Sequence, residues 1–252
     1  MNLPRAADFR APLLLRNGHV QTMLSSSVFR RLAQRHLRRQ LNEGAQPVLL
    51  EVGDGVQLAG AFTPQRVRGK SRGLAVIFHG WEGSIDSSYV VQIGARMSSE
   101  GWDIFRLNFR DHGATHHLNT ELFHSCLIDE VVAAVADIEQ RYRRPGTPMT
   151  LTGFSLGGNF VLRAALAAPD AGIDLDYAMA VCPVIDPAAG LFSLETAPWM
   201  YEWYFMHKWR GSLKRKQQVF PERRYFAPGE LRQGLRGLTR TLIDRHTDFG
   251  NL

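Results

Sequence analysis

Between Met149 and Gly158 the sequence reads Met-Thr-Leu-Thr-Gly-Phe-Ser-Leu-Gly-Gly. Within it, Gly153-x-Ser155-x-Gly157 sets one serine between two glycines. That spacing suits a serine on a tight turn from strand to helix, with its hydroxyl standing clear as a nucleophile. Such a serine sits in strained backbone geometry, and only small neighbours avoid colliding with it. A helix that starts just past Ser155 would point free N–H groups and its positive dipole end at the charge formed during acyl transfer. The chemistry predicted is nucleophilic acyl transfer at Ser155; the competing reading is a purely structural turn.

The flanking segments are those the turn needs. Met149, Leu151 and their threonine neighbours form a short β-prone run, and Asn159 to Ala168 is helix-prone and stops at Pro169. Upstream, Val48–Val52 and Val56–Phe62 around Gly53-Asp54-Gly55 read as a β-hairpin. Gly73–Phe78 is a continuous apolar run, the mark of a central parallel strand, and it enters the turn His79-Gly-Trp-Glu-Gly-Ser84. A helix with Val90, Ile93 and Met97 on one face, a strand over Trp102–Phe109, and a helix capped by Ser125 follow. In the latter, Leu127, Val131, Val135, Ile138 and Tyr142 keep helical spacing. Tyr177–Cys182 is a further strand. Strands alternating with amphipathic helices predict an α/β protein with a doubly wound, mostly parallel sheet.

From Val184 onward no strand is expected. The region reads as a helical insertion over the sheet, and its cluster of Trp199, Tyr201, Trp203, Tyr204, Phe205 and Trp209 is expected to serve packing before lining an acyl pocket. The organisation expected is an arm over residues 1–45 and a main domain over 46–252, with the helical insertion at about 185–250. In the arm, Val28 to Leu41 reads as one amphipathic helix with Phe29, Leu32, His36 and Leu37 on one side and most arginines on the other. Packing is its expected role, and contact with a membrane surface stays open beside it.

The chain has 252 residues, a formal net charge of +6, 44% hydrophobic and 21% charged residues, and two cysteines. These values describe a soluble globular protein with no disulfide framework, and they fit a reducing, cytoplasmic setting. Cys126 and Cys182 lie in apolar surroundings and are expected to be buried. The polar start, Met1 to Asp8, lacks the apolar core of a signal peptide, and no run is long enough to span a membrane. The positive charge alone points to no nucleic-acid partner, because the arginines are scattered over helices.

Taken in order, the hairpin, the His-Gly turn, the elbow and the helical insertion resemble the α/β-hydrolase superfamily. Within it the chain is similar to the YheT-like branch of esterases, relatives of the abhydrolase-domain lipases. Arg16-Asn-Gly-His-Val-Gln-Thr22, His79–Ser84, Asn108-Phe-Arg-Asp-His-Gly113 and Gly153–Gly158 carry the resemblance over nearly the whole chain. It implies Ser155 as nucleophile and an oxyanion hole from the backbone N–H groups of Trp81 and Leu156. It implies a small-molecule ester substrate, lipid-like or short acyl, and neither metal nor cofactor. Glu82 is expected to shape its turn, His79 to be structural, and His19 to tie the arm to the body. Asp111, His112, His116 and His117 are expected not to form a catalytic metal site.

The resemblance also marks a departure. After Ser155 only His207 and His246 remain, and neither is expected to act as the base. The family pattern places the acid, the histidine and the last two strands further on, so the expectation is that they fall beyond Leu252 and that the 252-residue chain alone is a poor hydrolase. A thioesterase or acyltransferase using the same serine is one alternative. A non-catalytic binding or scaffold protein of this fold is another, and a basic adaptor for membranes or RNA ranks last. Oligomeric state is not legible.

Overall fold

The computed structural model describes residues 10–248 apart from positions 26 and 68. The polar stretch Met1 to Asp8 and the end of the chain at Leu252 lie outside the described residues.

Six strands form one sheet: β1 (Gln46–Glu51), β2 (Gln57–Thr63), β3 (Leu74–Phe78), β4 (Asp103–Leu107), β5 (Met149–Phe154) and β6 (Tyr177–Val181). Their order is β1-β2-β4-β3-β5-β6. The pairs β1–β2 and β2–β4 are antiparallel, and β4–β3, β3–β5 and β5–β6 are parallel. Positive φ values at Gly53, Asp54 and Gly55 close the first hairpin where two glycines make that conformation inexpensive. The sheet, its order and the flanking helices are those of the α/β-hydrolase fold.

Every residue of β3 is buried, because helices cover both faces. Its side chains alternate. Leu74, Val76 and Phe78 enter a core shared with α5 (Ile128–Tyr142) and α6 (Leu156–Ala167). Ala75 and Ile77 enter the opposite core, shared with Leu41 and with α4 (Ser88–Ser99). A third core lies over the sheet, in the insertion formed by α7 (Pro187–Thr196), α8 (Met200–Val219) and α9 (Leu235–His246), where Met206, Trp209, Leu213, Leu238 and Leu242 pack with Leu122 from the loop after β4. Trp81 packs against this third core and ties the His-Gly turn to the insertion.

Several expectations need correction. The arm carries α1 (Gly18–Ser25), and the single helix expected over Val28–Leu41 is two, α2 (Val28–Ala33) and α3 (Arg35–Asn42), separated at Gln34. Phe29 (81%) and Leu32 (59%) on α2 are exposed, while Leu41 on α3 takes the buried position against the sheet. Ser125 does not cap α5; Leu127 precedes the first turn without a side-chain bond, and the Ser125 carbonyl accepts from Arg163 instead. Cys126 and Cys182 are exposed rather than buried. Cys182 follows β6, which pairs only with β5 among the described residues, so the apolar run around it has one uncovered side; Tyr177 and Met179 are exposed at 66% and 58%. No helix among the described residues is long and apolar enough to cross a membrane.

Candidate active site

Strand β5 ends at Phe154 and α6 begins at Leu156, with Ser155 between them at φ 53°, ψ −117°. This left-handed conformation is strained for a residue with a Cβ, and the surroundings hold it there. The Ser155 N–H donates to Val181 O at 2.9 Å, and its own carbonyl accepts from Asn159 N at 3.1 Å as the helix starts. The flanking glycines are required by contact. A Cβ at Gly153 would stand 2.2 Å from Gly157 O, and one at Gly157 would stand 2.3 Å from His79 O. Backbone therefore touches backbone on both sides of the serine, whose own side is open to solvent.

The turn after β3 runs alongside. A Cβ on Gly80 would lie 3.4 Å from the Ser155 Cβ. Gly80 N–H donates to Tyr89 Oη at 2.9 Å, and the turn closes with Gly83 N–H on Gly80 O at 2.9 Å. Glu82 sits in it at φ 54°, and its carbonyl accepts from Lys208 Nζ. The backbone N–H of Trp81 has no acceptor among the described residues, and Leu156 opens α6, where N–H groups lack an intrahelical partner. Among the described residues both donors are unspent, Leu156 directly after the serine and Trp81 on the wall of the same cavity.

His79 secures this turn from beneath. Fully buried, its Nε2 accepts from Phe109 N–H at 3.2 Å, so the ring hydrogen belongs on Nδ1, which donates to Gly80 O at 2.7 Å. Both nitrogens are spent on the neutral ring, and burial lowers its pKa to about 4.

Ser155, Gly80, Trp81 and Glu82 line a cavity of about 690 Å³, together with Asp111, His112 and His116 from the loop after β4, and with Tyr204, Phe205, His207, Lys208, Ser212 and Arg215 from α8. Of the aromatic cluster, Trp209 is buried in the packing expected for it. Tyr204 and Phe205 line the cavity, and Phe205 stacks on Trp81 at 5.3 Å. Trp199 and Trp203 are exposed. Burial raises the Glu82 carboxyl to about 7, against the opposing pull of Lys208.

The loop Asp111–His117 divides its work. Asp111, at φ 57°, accepts Lys216 Nζ at 2.6 Å and Phe123 N–H at 3.0 Å. His112 binds Arg110 O through Nδ1 at 2.7 Å, and burial lowers its pKa to about 3. His116 Nε2 meets Ser212 Oγ at 2.8 Å, and His117 is exposed. Among the described residues no three His, Cys, Asp or Glu side chains form a group able to hold a metal ion.

Of the remaining histidines, His19 Nδ1 lies 2.8 Å from Tyr201 Oη, joining the arm to α8. His246 bonds Tyr225 O at 3.0 Å, away from the cavity. His207 reaches the cavity wall, stacked on Trp203 at 5.5 Å. No histidine or carboxylate among the described residues is hydrogen-bonded to Ser155.

Lys216 escaped sequence reasoning. It is fully buried, and besides Asp111 its ammonium meets the carbonyls of Asn119 at 2.5 Å, Glu121 at 3.1 Å and His116 at 3.4 Å. The only sequence signal was a lysine at helical spacing from Trp209 and Leu213 on the buried face of α8.

Comparison with known proteins agrees with this architecture. A relative from Escherichia coli (strain K12), named "Putative esterase YheT", is 26% identical over 208 residues, 81% of this chain and 57% of its own. The chain therefore spans little more than half the length of that relative. Among solved structures, the Pyrococcus furiosus esterase Pf2001 is similar at TM-score 0.49 and 18% identity, covering 67% of this chain and 66% of that one. XC6422 from Xanthomonas campestris, described as an α/β serine hydrolase without lid, is similar at TM-score 0.43 and 23% identity over 50% of this chain and 57% of its own. Neither likeness is close enough to speak for a residue's role. The family match spans more than half of the chain: residues 69–241, from the approach to β3 through most of α9, match the family described as serine aminopeptidase, S33, and the chain belongs to that family of α/β hydrolases.

Proposed function

We propose that this protein hydrolyses carboxylic esters, lipid-like or short acyl, through an acyl-serine intermediate on Ser155. The observation that carries the reading is Ser155 held at φ 53° at the elbow, beside the Gly80 turn and on the wall of the same cavity. In this reading Ser155 Oγ attacks the ester carbonyl, and the N–H groups of Trp81 and Leu156 bind the oxyanion that forms. Collapse of the tetrahedral intermediate breaks the bond to the alcohol, which leaves with a proton, and water then releases the acid from the serine. The reading assigns a nucleophile and its oxyanion donors; it assigns no base. It places the protein in the cytoplasm with a small-molecule substrate, and it gives no role to a metal or cofactor.

A fluorophosphonate probe should label the wild-type protein at Ser155, and Ser155→Ala should lose both labelling and turnover of p-nitrophenyl butyrate. Turnover that survives in Ser155→Ala would sink the assignment. A second reading, a binding module of this fold without catalysis, is favoured by the absence of a hydrogen-bonded base beside Ser155 among the described residues. It predicts that the wild-type protein binds such esters and turns over neither oxygen esters nor thioesters.

A further inference from the structure

Three cations line the Ser155 cavity, and their partners differ. Arg38 is paired with Asp86 at 3.0 Å. Lys208 and Arg215, two turns apart on α8 and so on one face, have no such partner. The Lys208 ammonium donates to Glu82 O and lies 5.5 Å from the centre of the Tyr204 ring. The Arg215 guanidinium donates to Gly113 O at 3.3 Å. Among the described residues neither head has a carboxylate within ion-pair distance. One carbonyl uses one of the three N–H bonds of an ammonium or one of the five of a guanidinium, so donors remain on both heads.

The carboxyls on the same wall do not cancel this charge. Asp111 is already bound by Lys216 at 2.6 Å. Glu82 is raised by burial to about 7, with Lys208 and Arg215 both pulling it back toward the charged form, so near neutral pH its partial charge offsets only part of the two cations. The excess is felt inside the protein, where Lys208 adds to the lowering of His79 and His112, and Arg215 to that of His116.

From this unbalanced pair we infer that the cavity selects esters bearing an anionic group, a carboxylate or a phosphate, seated at Lys208 and Arg215 while the ester carbonyl lies at Ser155. The inference rests on the esterase reading above and adds the charge of the substrate. A charge-assisted bond to a guanidinium or ammonium is about twice as strong as a neutral one, so a preference of roughly tenfold is the scale to look for.

Two substrate pairs test it and locate the charge. The first is p-nitrophenyl hemisuccinate against p-nitrophenyl butyrate, with the anion on the acyl side. The second is butyryl glycerol 3-phosphate against monobutyrin, with the anion on the alcohol side. In at least one pair, kcat/KM of the wild type should favour the anionic member by roughly tenfold, and the preference should shrink in high salt. Arg215→Met should erase much of it while the neutral ester keeps its rate within about threefold, Lys208→Met should erase it whatever becomes of the neutral rate, and Lys208→Arg should retain it. Because Lys208 also holds the Glu82 carbonyl, Arg215→Met serves as the check should Lys208→Met fail to fold. Calorimetric binding of the same pairs to Ser155→Ala separates this inference from the esterase reading. No turnover of any ester, with tighter Lys208-dependent binding of an anionic one, would sink the esterase and leave the anion selectivity standing. Turnover or binding that ignores charge in both pairs would overturn the selectivity.

Discussion

At the scale of single residues, the histidines around the site differ in where their nitrogens go. His79 and His112 are buried and neutral, held by burial at about 4 and about 3. In the unfolded chain the same rings titrate near their ordinary value of about 6.5. Between about 6.5 and 4 the unfolded state takes up protons that the folded state refuses, so this stability is present above that window and lost as pH falls through it. His116, at about 4, pulls the same way. Glu82 opposes, because its raised value of about 7 lets the folded state hold a proton between about 4.5 and 7 that the unfolded state has released. Asp111 and Glu130, raised by burial as well, side with Glu82, so the histidine share is isolated by comparing the wild type with a variant that lacks one ring. From pH 7 to 4.5 the urea midpoint of the wild type should lose more, or gain less, than that of His112→Asn; equal changes in the two would refute the assignment of a neutral buried His112 ring. Gly157 offers a steric test. An alanine there meets His79 O at 2.3 Å, backbone that cannot give way, so Gly157→Ala should cost about 3 kcal/mol and lower the thermal midpoint.

At the scale of elements, α8 decides how the insertion meets the sheet. Over its length Lys208, Ser212, Arg215 and Lys216 bind the Glu82 turn and the loop after β4, chiefly through backbone carbonyls. Lys216 is the centre of this seam. Burial drives the Lys216 ammonium down and the Asp111 carboxyl up, each toward its neutral form, and their 2.6 Å contact opposes both shifts. With four acceptors on the amine, the charged pair is the state the geometry serves. Lys216→Met should cost about 3–5 kcal/mol by leaving Asp111 buried and unpaired. Asp111→Asn added to Lys216→Met should recover a measurable part, since the orphaned charge is then gone. If the single and double variants melt together, the seam is not held by this pair. The two-helix arm illustrates the opposite case. Phe29 and Leu32 carry the amphipathic pattern yet are exposed, and it is Leu41, beyond the break at Gln34, that joins the core.

At the scale of the whole molecule, three cores are joined through a few residues. Trp81 and Leu122 connect the insertion to the sheet, and β3 divides the two cores beneath. The outer edge is different. Strand β6 pairs only with β5 among the described residues and shows Tyr177 and Met179 to solvent. An apolar edge of this kind invites pairing between chains. Concentration-dependent association, read by sedimentation velocity, should be reduced by Met179→Lys; association unchanged by that charge would place the contact elsewhere. By itself the sequence determined what is local. Gly153 to Gly157 specify the elbow within five residues, Gly53-Asp-Gly55 the hairpin, and five apolar residues a strand covered on both faces. What it could not determine depends on partners far along the chain. The buried Lys216 meets Asp111 across 105 residues, and Lys208 and Arg215 gain meaning only when α8 lies over the serine. The exposure of Cys182 follows from which strands stand beside β6. Backbone geometry and hydrophobic period are written in neighbouring residues, whereas burial and charge balance belong to surfaces assembled from distant ones, and those exist only once the chain has packed.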